Sequence, residues 1–195
     1  MSPRGRRPAG EDARAQIVEA ARTELAAKGY DGTSLRGVAR AAGVDPALVH
    51  HYFAGKTALF AAAMEVPFDP RQVIDGVLEA PVDRLGESLV RAFLGVWDTP
   101  EGRVRIAALL RSAATHPDAM TLLEQFLVRE IFGRVAGRAG PRGLERRAGL
   151  VATQMIGLGF ARYVAELPGV ADAEAEELVA AVAPVIQRYL DLPGS

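Results

Sequence analysis

Between Ala42 and Pro46 this chain has to turn sharply, and the residues around that turn leave few ways to do it. The surrounding stretch, Thr33–Lys56, reads TSLRGVARAAGVDPALVHHYFAGK. Leu35, Val38, Ala39 and Ala42 fall on one face of a helix, at spacings of three, one and three. Gly43 supplies a residue that accepts positive φ, so the chain can leave that helix abruptly. Val44 can fill the gap that results. Asp45 is suited to cap a second helix, and Pro46 to occupy its first position, where a missing N–H costs nothing. The second helix then runs through Ala47, Leu48, Val49, His50, His51 and Tyr52. Val49 and Phe53 turn back toward a core, and the other side chains face outward. Two short helices joined in this way form a helix-turn-helix, whose second helix is expected in the major groove of DNA.

The dimensions agree. Seven or eight residues at 1.5 Å rise make a rod of about 11 Å, and the B-DNA major groove is about 12 Å wide. Ala47 and Leu48 open the rod, where apolar groups touch a thymine methyl. His50 and His51 offer bonds to bases or phosphates; as neighbours on a helix they point about 100° apart, which argues against a shared metal. Tyr52 and Lys56 follow as phosphate contacts. Arg36, near the start of the first motif helix, is expected to reach a guanine edge or a phosphate. Thr33 or Ser34 is expected to cap that helix and to serve as a phosphate ligand as well.

The flanks extend the pattern. Residues 12–28 predict a helix with Ile17, Ala21 and Leu25 on one face, Gly29 ending it and Tyr30 anchoring the chain beyond. Residues 1–10, MSPRGRRPAG, carry Arg4, Arg6 and Arg7 among Pro and Gly and predict a disordered basic arm. From Ile17 to Phe60 the order and spacing resemble the N-terminal domain of the TetR (tetracycline-repressor-like) family of transcriptional regulators. Ala20-Ala21, Gly29-Tyr30, Thr33-Ser34, Val38-Ala39, Ala42-Gly43-Val44, Tyr52-Phe53, Lys56 and Leu59 carry the likeness. The chain departs from the family's pattern at His50, often Tyr, and at Gly37, often acidic. The resemblance implies a homodimer on a palindromic operator, a C-terminal domain that senses a small molecule, and repression as the commoner outcome.

Composition sets the bounds. A chain of 195 residues suits a DNA-binding domain, residues 11–65, and a larger effector-binding and dimerisation domain, residues 66–195. Apolar residues make up 49%, enough for a sizeable core. The absence of cysteine excludes disulfides, thiolate zinc sites and cysteine nucleophiles. No secretory signal is evident, and no apolar run approaches the ~20 residues of a membrane span, so a cytoplasmic protein is expected. The net charge of −1 conceals a division, +3 over residues 1–64 against −4 over the remainder. Positive charge thus gathers where phosphate would be met.

Beyond residue 65 the pattern is helical, with no convincing strand, for an all-α chain of about nine or ten helices. Asp69-Pro70 and Thr99-Pro100 each read as a cap and first helical residue, and His116-Pro117-Asp118 as a break. A helix over residues 118–135 leads to a glycine-rich loop, residues 137–143, with Arg138 and Arg142 in solvent. Two long helices close the chain, residues 144–166 and 173–190, the second expected to kink at Pro184. Leu178, Val182, Val185, Ile186 and Tyr189 form its stripe. Apolar cover on these two helices exceeds what one subunit can bury, so a homodimer through them is expected.

The resemblance places the effector pocket inside the C-terminal helices, where Phe93, Trp97, Met120, Phe126, Met155 and Phe160 are candidate linings. Scarcity of charges that look buried suggests a mostly apolar effector. No Ser-His-Asp order, no HExxH and no phosphate-cradling glycine loop occurs, so no catalytic residue, metal or cofactor is assigned. Two contrasting readings are a helical enzyme acting on a small apolar molecule and an architectural DNA binder without an effector. A long basic patch beyond the motif would favour the second, and there is none.

Overall fold

The structure is a computed structural model that describes residues 9–66 and 68–193, with side chains from Ala13 onward. The basic arm expected at residues 1–10 lies almost wholly outside the described residues. The elements run α1 (Ala9–Gly32), α2 (Leu35–Ala42), α3 (Pro46–Tyr52), α4 (Lys56–Ala63), α5 (Pro70–Leu78), α6 (Leu85–Trp97), α7 (Pro100–Thr115), α8 (Pro117–Phe126), α9 (Gly133–Arg138), α10 (Leu144–Tyr163) and α11 (Ala175–Leu190). A π-helical turn, Leu127–Phe132, joins α8 to α9 without a break, so the described residues make ten helical rods. The chain divides into two compact units, residues 1–66 and 67–195.

In the first unit α1 supplies the wall on which the others pack. Ile17, Ala21 and Leu25, at 0, 0 and 4% exposure, form its inward face. Gly29 interrupts the helix at φ 69°, a left-handed conformation that glycine adopts without penalty. The reversal brings Tyr30 into the core, where its ring meets that of Phe60 edge-on at 5.2 Å. Val38, Ala39, Val49, Phe53 and Leu59 complete this core. Gly37 is buried as well: a Cβ there would stand 3.1 Å from the Ser34 hydroxyl and 3.3 Å from a Glu24 carboxylate oxygen. A side chain at this position would press on the ends of the Ser34 and Glu24 side chains, and an acidic one would also meet the Glu24 carboxylate. α4 ends at Ala63, and Glu65 beyond it has φ 57°.

The second unit is a helical bundle around Val90, Leu94, Val135, Val151, Met155 and Ile186. Asp69 and Thr99 cap α5 and α7 through the backbone N–H groups of Arg71 and Gly102. Where one helix was expected to stop at residue 135, the rod carries on to Arg138 through the π turn. Gly133 permits this, since a Cβ there would lie 2.4 Å from the Val128 carbonyl. The extra residue of a π turn has no signature in hydrophobic spacing. α11 runs through Pro184 as one helix and opens with a capping box between Glu174 and Glu177. It lies close against α6 because Gly86 leaves room, a Cβ there standing 2.6 Å from the Ala183 carbonyl. Gln187 closes the contact by accepting from the Gly86 N–H and donating to the Val82 carbonyl.

Two arginines that patterning leaves unmarked are buried in this unit. Arg147, 5% exposed, donates to the carbonyls of Ala139, Gly140 and Leu190. These lie at the C-terminal ends of α9 and α11, where helix dipoles supply negative potential in place of a carboxylate. Arg162, 4% exposed, bonds both oxygens of Asp98, at 2.9 and 3.0 Å, and the carbonyls of Val170, Ala171 and Ala173. The premise that buried charge is scarce therefore does not hold, because long arginines on mostly apolar helices can turn inward to meet carbonyls.

Candidate nucleic-acid interface

The rod that could enter a groove is α3, and short-range chemistry fixes it in place. Asp45 accepts from the Ala47 N–H at 2.7 Å, and Pro46 takes the first helical position. Gly43 ends α2 at φ 67°, ψ 30°, with its N–H on the Arg40 carbonyl and that of Val44 on Ala39. Ser34 caps α2 through the Gly37 N–H at 3.1 Å. Each cap of this type contributes about 1 kcal/mol, a large share of what holds helices of seven and eight residues.

Burial separates the two sides of α3. Val49, at 0%, and Phe53, at 3%, face the core. Ala47, His50 and His51 are exposed, while Leu48 and Tyr52 are half-buried. The His51 and Tyr52 rings meet edge-on at 5.1 Å. On α2, Arg36 and Arg40 are both exposed, four residues apart. Sequence reasoning singled out the first and passed over the second, although the spacing places both on one face. Ser34 is exposed, whereas Thr33 is 4% exposed and donates its hydroxyl to the Gly29 carbonyl. Thr33 thus ties the α1–α2 joint, its hydroxyl already committed.

The cations of this unit fall into distinct classes. Arg22 bonds Glu19 and Glu65, and Lys28 bonds Glu24. Lys56 places its ammonium 4.4 Å from the centre of the Tyr30 ring and 3.3 Å from the Asp31 carbonyl. Gly55, at φ 146°, turns the chain so that α4 begins at Lys56. Arg14 sits with its guanidinium 5.3 Å from the centre of the Phe53 ring, just past the end of α3. Among the described residues, Arg14, Arg36 and Arg40 have no carboxylate partner.

The residues expected around an effector belong to the second unit. Trp97, Phe126 and Met155 are buried at 8, 4 and 1%, and Phe93 is half-buried. Met120 and Phe160 are 43 and 44% exposed. Gly159 thins α10 where Phe93, Ile106 and Leu110 converge, a Cβ there standing 3.2 Å from the Phe93 ring. Next to this apolar centre lies the Asp98 cluster. Burial pushes the Asp98 carboxyl up, but hydrogen bonds from Arg162 and Tyr163 and the charges of Arg162 and Arg103 outweigh it. The net result lies below the ordinary carboxylate value. Tyr163 is pushed well above the phenol range by burial and then by Asp98. Two open surface hollows lie elsewhere, one of about 350 Å³ between α6 and α11 and one of about 480 Å³ beside Arg142 and Arg147. Neither is lined by the six expected effector residues.

Both units match described families. Residues 17–63 match the model for bacterial regulatory proteins of the tetR family, and residues 83–190 that for the tetracyclin repressor-like C-terminal domain. A TetR-family regulator of known structure from Streptomyces coelicolor is 33% identical, with 96% of this chain and 99% of that one covered and a TM-score of 0.51. A putative TetR-family transcriptional regulator from Mesorhizobium loti shares the fold at 17% identity, covering 96% of this chain and all of its own, with a TM-score of 0.51. Among curated proteins, the HTH-type transcriptional regulator BetI of Brucella anthropi is 29% identical over 147 residues, 65% of this chain and 75% of that protein. With a capped helix-turn-helix matching the N-terminal model and more than half its length matching the C-terminal one, the chain belongs to the TetR family of DNA-binding transcriptional regulators.

Proposed function

We propose that the protein is a homodimeric repressor that binds a palindromic operator and releases it when a small, mostly apolar effector occupies the second unit. The observation that carries the DNA reading is α3: capped, anchored by Val49 and Phe53, and outward-facing at Ala47, His50 and His51. Ala47 and Leu48 meet thymine methyls, while His50, His51 and Arg36 contact bases or phosphates. Ser34, Tyr52 and Lys56 hold the backbone. Thr33 is left out of this set because its hydroxyl serves Gly29.

The dimer reading rests on apolar surface that one chain leaves open. Phe160 on α10 is 44% exposed and Val185 on α11 37% exposed, with Ile156, Val182 and Tyr189 half-buried beside them. Gly149 and Gly157 face open space. A two-fold pairing of these helices would cover this surface and present two copies of α3 about 34 Å apart.

The effector reading rests on the convergence of Phe93, Ile106 and Leu110 at Gly159, close to Trp97 and Met155 in sequence order along α6 and α10. An effector would act by preferring the dimer geometry that DNA does not. Among the described residues no helix is long and apolar enough to cross a membrane, in keeping with a cytoplasmic site of action. Selection of bound duplexes from a random pool tests the reading. It predicts an enriched palindrome, and uniform weak retention of all sequences would contradict it.

A further inference from the structure

We propose that Arg14, on the first turns of α1, is a phosphate-contacting residue of the DNA interface, held at the C-terminal end of α3 by the ring of Phe53. The inference rests on the reading that α3 lies in a major groove. A rod of about 11 Å in a groove of about 12 Å brings whatever flanks its ends near the phosphate walls. Tyr52 ends α3, and Phe53 follows with its ring centre 6.5 Å from that of Tyr52. The Arg14 guanidinium lies 5.3 Å from the Phe53 ring centre, which carries a charge from α1 to the end of the reading helix.

Two observations, the absence of a carboxylate partner among the described residues and the contact with a core ring, separate this cation from Arg22 and Lys28 on α1. Arg22 and Lys28 are neutralised by Glu19, Glu65 and Glu24, whereas Arg14 has no carboxylate partner among the described residues. Its side chain is exposed, so its donors are not consumed by packing. Stacking on a ring restrains a long side chain while leaving the guanidinium N–H edges available, which lowers the entropy lost when it grips a phosphate. Lys56 likewise sets its ammonium against a core ring, that of Tyr30, although it is half-buried and donates to the Asp31 carbonyl. Arg14 and Lys56 are thus both positioned by aromatic residues of the core.

The test compares the parent with Arg14→Ala, Arg14→Lys and Lys28→Ala, measuring affinity against salt for the duplex enriched from a random pool and for a scrambled duplex. Arg14→Ala should weaken both complexes by the same factor, several-fold, and reduce the slope of log K against log salt by about 0.9 for each subunit bound. Arg14→Lys should keep the parent slope. Lys28→Ala removes the same charge from the same helix and should leave the slope unchanged. Thermal melting of Arg14→Ala should match the parent. A parent slope in Arg14→Ala would overturn the proposal, as would a loss confined to the enriched duplex, because that would make Arg14 a reader of bases. Failure of the parent to enrich any sequence would instead remove the groove reading, and this inference with it.

Discussion

The two units solve the problem of fixing helices by different means. In the first, α2 and α3 are seven or eight residues long and are held by contacts near in sequence. Ser34 and Asp45 cap them, Gly43 turns the chain, and one or two side chains of each reach the core. In the second, distant groups hold the helices: Asp98 with Arg162 and Tyr163, Arg91 with Glu176, and Gln187 with Gly86 and Val82. A reading head built from local contacts can keep its shape while its outward residues vary. A bundle held by long-range polar ties is the natural place for a two-state response, since breaking one tie frees segments far apart in the chain.

If that contrast is right, substitutions in the second unit should cost the most. Arg162→Met leaves Asp98 with its principal partner gone and should lower stability by about 3 kcal/mol in urea unfolding. The pH dependence should change with it. Asp98 is depressed in the folded state, so its stabilisation is fully present above its unfolded value of about 4 and is lost as pH falls through its lower folded value. The parent should therefore lose stability below about pH 4 more steeply than Asp98→Asn, a difference that unfolding at pH 3 and pH 6 resolves.

Gly86→Ala should cost about 2 kcal/mol, because its Cβ would press on the backbone of α11 and force α6 away. Asp45→Ala, the corresponding local change, should cost about 1 kcal/mol and also weaken binding of DNA, since α3 frays at the end proposed to enter the groove. Breaking the exposed Lys28–Glu24 pair should cost less than about 0.5 kcal/mol. A loss for Asp45→Ala larger than that for Arg162→Met would break the contrast between the units.

The same contrast explains how much of the molecule was legible in its sequence. Gly29, Gly43, Asp45, Pro46, Asp69 and Thr99 carry their meaning within a few residues, and the structure uses them as that meaning suggests. The outward set on α3 follows from the same short-range pattern. What escaped was long-range. Arg147 and Arg162 look like surface arginines until their carbonyl partners are brought together from other elements. Thr33 and Ser34 are alike as letters, yet the turn at Gly29 buries one and exposes the other. Arg14 reaches α3 only because α1 packs across it, and no spacing rule connects residue 14 with residue 53. The π turn carries the α8 rod through Gly133 to Arg138, past residue 135, where the helical spacing runs out.

The central claim is that two copies of α3 sit in successive major grooves on one side of a duplex, and changing the spacing between half-sites tests it most directly. Inserting about 5 base pairs at the centre of the selected palindrome turns one half-site to the opposite side of the helix. Affinity should then fall to that of a scrambled duplex, with partial recovery when the insertion reaches a full turn. Equal affinity at every spacing would contradict the account, for each α3 would then be binding alone.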